Sequence, residues 1–128
     1  MRLDLYPGRY AVWRLPPGSP IPDLPRAPGQ IIAVAATDAD VSVVGPEGLA
    51  PTACPVEAGF RVLGVRGPLE FSLVGVIASL AEPLAAAGVS IFVLSTFETD
   101  YVLVQESDLE TAMAALRSHG HVVGPETG

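Results

Sequence analysis

Apolar positions follow two different regimes along this chain, and the second half is the more regular. Residues 60–65 are apolar and β-branched and close on Gly67-Pro68, which predicts a strand. Leu73, Val76, Ile77, Leu80 and Leu84 then recur at helical spacing, with Gly88 as the expected stop. Pro83 inside that stripe predicts a kink or a loosened last turn. Residues 89–95 and 101–104 read as strands. Ser107-Asp108-Leu109-Glu110 has the form of a capping box, and Leu109, Ala112, Met113 and Leu116 give the buried face of the helix behind it. Gly120 ends that helix and residues 121–123 return as a strand. The order βαββαβ over 61–128 predicts an α+β, ferredoxin-like unit, an antiparallel sheet with two helices on one face.

The first half carries ten of the thirteen prolines within its first 55 residues. Residues 10–15 read as a strand after the Pro7-Gly8 turn. Residues 16–29 hold six prolines, so they form a connection and not a long helix or central strand. Residues 31–37 and 41–44 are β-rich runs around Asp38-Ala39-Asp40, a hairpin turn, and 46–59 read as a second irregular connection.

Half of the 128 residues are apolar, enough for a core in one domain or two very small ones. Seven basic residues against fourteen acidic ones give a charge of −7, which argues against a nucleic-acid or anionic-membrane partner. All seven basic residues are Arg, so lysine-based chemistry is excluded. Cys54 is the one cysteine, so there is no internal disulfide and no cysteine zinc site. Residues 73–97 are long enough to span a bilayer, but Glu82 lies near their middle, where a carboxylate costs about 2.5 kcal/mol or more, and Pro83 and Gly88 interrupt them. A helix followed by a buried strand explains the run better, and the absence of a signal-peptide pattern makes the cytoplasm the expectation.

Two segments are candidates for binding. The loop leading to Ser72, Val74 and Gly75 opens a helix, where free N–H groups and the dipole favour a carboxylate; on the sequence alone the commoner reading is an ordinary turn capped by Ser72. Ser95, Thr96, Phe97, Glu98, Thr99 and Asp100 form a polar hairpin whose acids suit an ammonium or guanidinium; the bland reading is a solvated turn. His119 and His121 flank Gly120 without a third ligand, so no metal is expected, and no catalytic motif occurs, so an enzyme is not expected.

Several stretches then resemble a known family. FSLVGVIASL (71–80) and AGVSIFVLSTFETDYVLV (87–104) are similar to the ligand-binding ACT units of the CASTOR-type cytosolic arginine sensors. YPGRYAVWRL (6–15) and ATDADVSVV (36–44) resemble that family's first unit. The resemblance implies a tandem, an abbreviated β-rich ACT-like unit at 1–60 packed beside a complete ACT domain at 61–128. It implies a free amino acid or similar small molecule held between ACT units, without a cofactor. Ser72, Val74 and Gly75 would take its carboxylate. Ser95, Thr96, Phe97, Glu98, Thr99 and Asp100 would shape the other side, Asp100 first for a cation. Thr37, Asp40 and Ser42 would close the interface. The chain departs from the pattern in carrying Asp40 where that family has a Glu, and in its proline-rich first unit. A second reading stays open, a ligand-free module that pairs with a copy of itself or with another protein.

Overall fold

The computed structural model describes residues 1–67 and 74–125. Along the chain run β1 (Arg2–Leu5), β2 (Tyr10–Leu15), β3 (Ala33–Ala36), β4 (Val41–Pro46), β5 (Val56–Val65), α1 (Val76–Ala86), β6 (Phe92–Ser95), β7 (Asp100–Gln105), α2 (Leu109–Ser118) and β8 (Val122–Pro125). Single 3₁₀ turns follow β4 at Glu47–Leu49 and β7 at Glu106–Asp108. Contacts divide these elements into two units, Gly8–Phe60, and Arg61–Gly128 together with Met1–Pro7.

The larger unit has the predicted α+β, ferredoxin-like order, with one addition. Its strands lie in the order β6-β7-β5-β1-β8, so β1 is inserted between the first and last strands of the βαββαβ core. β1 runs antiparallel to β5 and parallel to β8. Residues 1–7, read from the sequence as part of the first unit, therefore belong to the second. The physical reason is Leu3, fully buried among Leu63, Val65, Leu80, Leu84, Leu116 and Val123. Burying a leucine of this kind contributes roughly 1.5–3 kcal/mol.

Both helices feed that core. Val76, Leu80 and Leu84 are buried on α1, and Leu109, Ala112, Met113 and Leu116 on α2. Each helix stops in the same way. Val89 N–H reaches the Leu84 carbonyl and Gly88 N–H that of Ala85; His121 N–H reaches Leu116 and Gly120 N–H reaches Arg117. Gly88 and Gly120 take φ of 76° and 87°, the left-handed conformation that this double closure requires.

α1 runs through Pro83 to Ala86. Pro83 has no N–H for the carbonyl of Ser79, and His121 supplies one instead, with Nε2 3.1 Å from that oxygen. A carbonyl only accepts, so Nε2 is the protonated nitrogen in this contact. The expected capping box at Ser107 is not formed. Ser107 lies in the 3₁₀ turn, and the residue before α2 is Asp108, with no side-chain cap bond.

The smaller unit is an antiparallel sheet in the order β3-β4-β2-β5, to which β5 contributes Val56, Glu57 and Phe60. By position in the chain this is second-third-first-fourth, the ferredoxin-like strand order, here without an α-helix. One face carries Ala11, Trp13, Val41 and Val43, covered by Leu24 from the proline-rich connection and by Leu49, Ala50 and Cys54. The stretch 46–59, read from the sequence as irregular, gives up its two ends to strands, since β4 runs to Pro46 and β5 starts at Val56. Glu57 and Gly59 dilute the β signal there. A bulge between Tyr10 and Val12 shifts the register, and Glu47 Oε2 accepts the Gly59 N–H at 2.9 Å.

Asp4 is the buried carboxylate of the larger unit, 6% exposed. Arg66 donates to it from Nε at 3.0 Å and from Nη2 at 2.7 Å, and Arg2 from Nε at 3.1 Å. Burial pushes its carboxyl up, but the hydrogen bonds and charges of the two arginines outweigh that and hold it below the ordinary range. Asp4→Ala is therefore expected to cost roughly 1–3 kcal/mol near neutral pH. A lowered native value means that this contribution is complete above the unfolded value of about 3.9 and is lost as pH falls through the native one. Urea unfolding of both chains across pH should show a gap that closes under acid; a gap that persists in strong acid would contradict the assignment.

Candidate functional site

The polar segment between β6 and β7 is a tight, internally braced hairpin. Ser95 pairs with Asp100 across the two strands, and Leu94 with Tyr101. Thr96 N–H donates to the Thr99 carbonyl at 2.9 Å, and Thr99 N–H returns a bond to Thr96 Oγ1 at 3.3 Å. Thr99 Oγ1 donates to the carbonyl of Val65 at 2.6 Å, which ties the hairpin tip to the end of β5. That is where the chain leaves the sheet toward α1.

Asp100 is half-buried and oriented. Ser95 Oγ donates to its Oδ1 at 2.6 Å. Oδ2 takes no bond from the described residues. Glu98 is exposed at the tip and likewise has no partner among them. Phe97 is 84% exposed, a large apolar ring at the same tip. The sequence reading treated these groups as one cluster, and the structure gathers Ser95, Thr96, Thr99 and Asp100 by direct bonds.

At the helix entrance, Gly75 is the residue before α1 and has a φ of 82°, and no side chain caps the helix. Val74 beside it is 91% exposed. Ser72 lies outside the described residues. Among the described residues no group of three or more His, Cys, Asp and Glu is placed to hold a metal ion. No helix among them is long and apolar enough to cross a membrane.

Thr37, Asp40 and Ser42 form their own cluster in the smaller unit. Thr37 Oγ1 donates to Asp40 Oδ1 at 3.1 Å, and Ser42 Oγ to Oδ2 at 2.9 Å. Thr37 N–H donates to the Asp40 carbonyl at 2.9 Å, the same closure as Thr96 to Thr99. The match is systematic. β6, β7 and the second 3₁₀ turn begin at 92, 100 and 106, each 59 residues after β3, β4 and the first at 33, 41 and 47. The two units thus repeat one hairpin plan, a threonine closing the turn in both.

A family model described as ACT domain matches residues 56–118, the stretch from the start of β5 to the end of α2. Protein Atu0741 of Agrobacterium tumefaciens, known from a crystal structure, superposes with a TM-score of 0.87 at 30% identity, over 99% of this chain and 94% of that one. The chain belongs to the ACT-domain family. Its sequence is also 37% identical over 59 residues to the cytosolic arginine sensor for mTORC1 subunit 1 of Homo sapiens, covering 45% of this chain and 18% of the sensor. The chain thus matches less than a fifth of that relative's length. In fold, this ACT protein is similar to the regulatory subunit of aspartate kinase from Thermus thermophilus, with a TM-score of 0.61 at 12% identity over 92% of this chain and 96% of that one.

Sequence reasoning missed the Thr99 bond to Val65 and the Arg2–Asp4–Arg66 cluster. Neither has a local signal, since the partners are 34 and 62 residues apart. Thr99→Val removes the bond that anchors the hairpin, so it should cost about 1 kcal/mol and speed amide exchange across 96–99. Unchanged exchange there would show that the strands alone hold the tip.

Proposed function

We propose that this chain is a regulatory ACT module that binds a free amino acid and carries out no chemistry of its own. The observation that carries the reading is Asp100, fixed by Ser95 through Oδ1 while Oδ2 faces no donor among the described residues. A carboxylate oriented in this way is prepared for a cation, and Glu98 adds a second negative charge on the same tip. The entrance to α1, with Val74 and Gly75, takes the ligand's carboxylate through its backbone N–H groups.

The reading draws support from the arginine sensor matched over 59 residues, whose name gives it an amino acid as signal. The ligand class is a cationic or zwitterionic amino acid, seated on the ACT surface to which the family resemblance points. Binding regulates by favouring one of two states of the protein or of a partner's contact with it. The cytoplasm, where free amino acids are sensed, is the compartment that fits.

An assembly role without ligand is the second reading, favoured by β6. It is an edge strand of the larger unit, with Phe92 and Val93 each 36% exposed, inside a run from 83 to 97 that carries no charge.

A thermal-shift screen of the full chain against the proteinogenic amino acids, ornithine and citrulline separates the two. A cationic amino acid seated on the hairpin at a hundred times its Kd should stabilise by about 2.7 kcal/mol, a rise of several degrees, and Asp100→Ala should abolish that rise. No rise with any amino acid at millimolar concentration would overturn the sensor reading in favour of assembly.

A further inference from the structure

The two units repeat an arginine pair as well as a hairpin. Arg9, just before β2, and Arg14, within it, have the same five-residue spacing as Arg61, within β5, and Arg66, just after it. Each leading arginine meets the glutamate that opens its unit's 3₁₀ turn, Arg9 with Glu47 at 3.7 Å and Arg61 with Glu106 at 3.7 Å. That double match makes Arg14 the counterpart of Arg66.

Their fates differ. Arg66 grips Asp4 with two nitrogens, and beside it Tyr6 and Tyr101 meet edge to face with centroids 5.8 Å apart, where a Cβ on Gly64 would come within 2.7 Å of the Tyr6 ring. The smaller unit has no strand equivalent to β1. There Val12 stands where Gly64 does and Ser42 where Tyr101 does, and Arg14 is exposed with no side-chain partner among the described residues.

Arg14 lines a groove of about 350 Å³ together with Val12, Trp13, Ser42, Pro55, Val56 and Glu57. Register pairs Arg14 with Ser42 and Val12 with Glu57, so by strand alternation Arg14, Val12, Ser42 and Glu57 share the sheet face opposite the Ala11–Trp13 core. Glu57 is a diagonal neighbour of Arg14, yet the two form no ion pair, and Glu57 too has no side-chain partner among the described residues. Ser42, opposite Arg14 on β4, donates its hydroxyl proton to Asp40 Oδ2.

We infer that this groove is a second small-molecule site, one that takes a zwitterionic amino acid with an apolar side chain. The carboxylate sits on the guanidinium of Arg14, as the Asp4 carboxylate does on Arg66; the ammonium meets Glu57; and the side chain lies over Val12 and Pro55. The charges on opposite sides of an apolar floor select a ligand that bears both signs on one carbon. This site is separate from the hairpin of Asp100 and does not depend on it.

Trp13, the one tryptophan, turns its ring to the opposite face of the sheet, so occupancy is read by isothermal titration calorimetry. The full chain is titrated with L-valine, N-acetyl-L-valine and L-valinamide. Saturable change is expected with valine, weakened about tenfold or more in each analogue and in Arg14→Ala and Glu57→Gln, whose folding is checked by circular dichroism. Asp100→Ala should keep the response, which separates this groove from the hairpin reading. No saturable response to valine at millimolar concentration, equal binding of N-acetyl-valine, or valine binding retained in a folded Arg14→Ala chain would each overturn the inference.

Discussion

A carboxylate in the middle of a four-residue strand is the constraint on which the larger unit depends. Asp4 is buried, and a buried charge is tolerated only where donors surround it. Arg66, just beyond the end of β5, and Arg2, two residues back, supply those donors. The triad fixes β1 against β5 in a single register, with Leu3 facing the core and Asp4 the opposite side. A slip of one residue would bury the carboxylate among leucines and strand both arginines. Insertion of β1 in turn sets β8 one strand away from β5, and β8 closes the unit beside α2.

The two units show one plan built with different means. Both place the second strand at an edge, pair it through a threonine-closed hairpin with the third, and follow the third with a 3₁₀ turn. In the larger unit α1 and α2 then cover the sheet with leucines. In the smaller one, a proline-rich connection with Leu24 and a short turn with Leu49 cover the cluster around Trp13. Proline suits that task because its fixed φ makes an ordered connection less costly in entropy than a flexible one.

The helices and hairpins were legible because their signals are local. The stripe through Leu109, Ala112, Met113 and Leu116 and the glycines at 88 and 120 act within a few residues of themselves. β1 was not legible, since Arg2 and Asp4 give its four residues the look of a solvated turn, and only Arg66 explains them. Ser107 looked like a cap, but the 3₁₀ turn moved the helix start beyond it. The start of β5 was hidden by Glu57 and by the bulge that Glu47 supports. At the candidate site, the sequence supplied the residue types of 95–100, whereas their arrangement required the structure: which oxygen of Asp100 Ser95 takes, and that Thr99 is anchored to Val65. Arg14 gained meaning only once its counterpart Arg66 was found with a carboxylate.

The functional account rests on a hairpin braced by its own hydrogen bonds. Preorganisation of this kind lowers the ordering cost of binding and favours a small ligand held by few groups. The most direct measurement is a ¹H–¹⁵N correlation spectrum of the full chain titrated with a mixture of free amino acids. The account predicts that the amide shifts concentrate at Ser95–Asp100 and at the start of α1, with any effect of apolar zwitterions confined to the strands around Arg14. A spectrum unchanged by every amino acid, or shifts gathered along β6 with rising protein concentration alone, would contradict it.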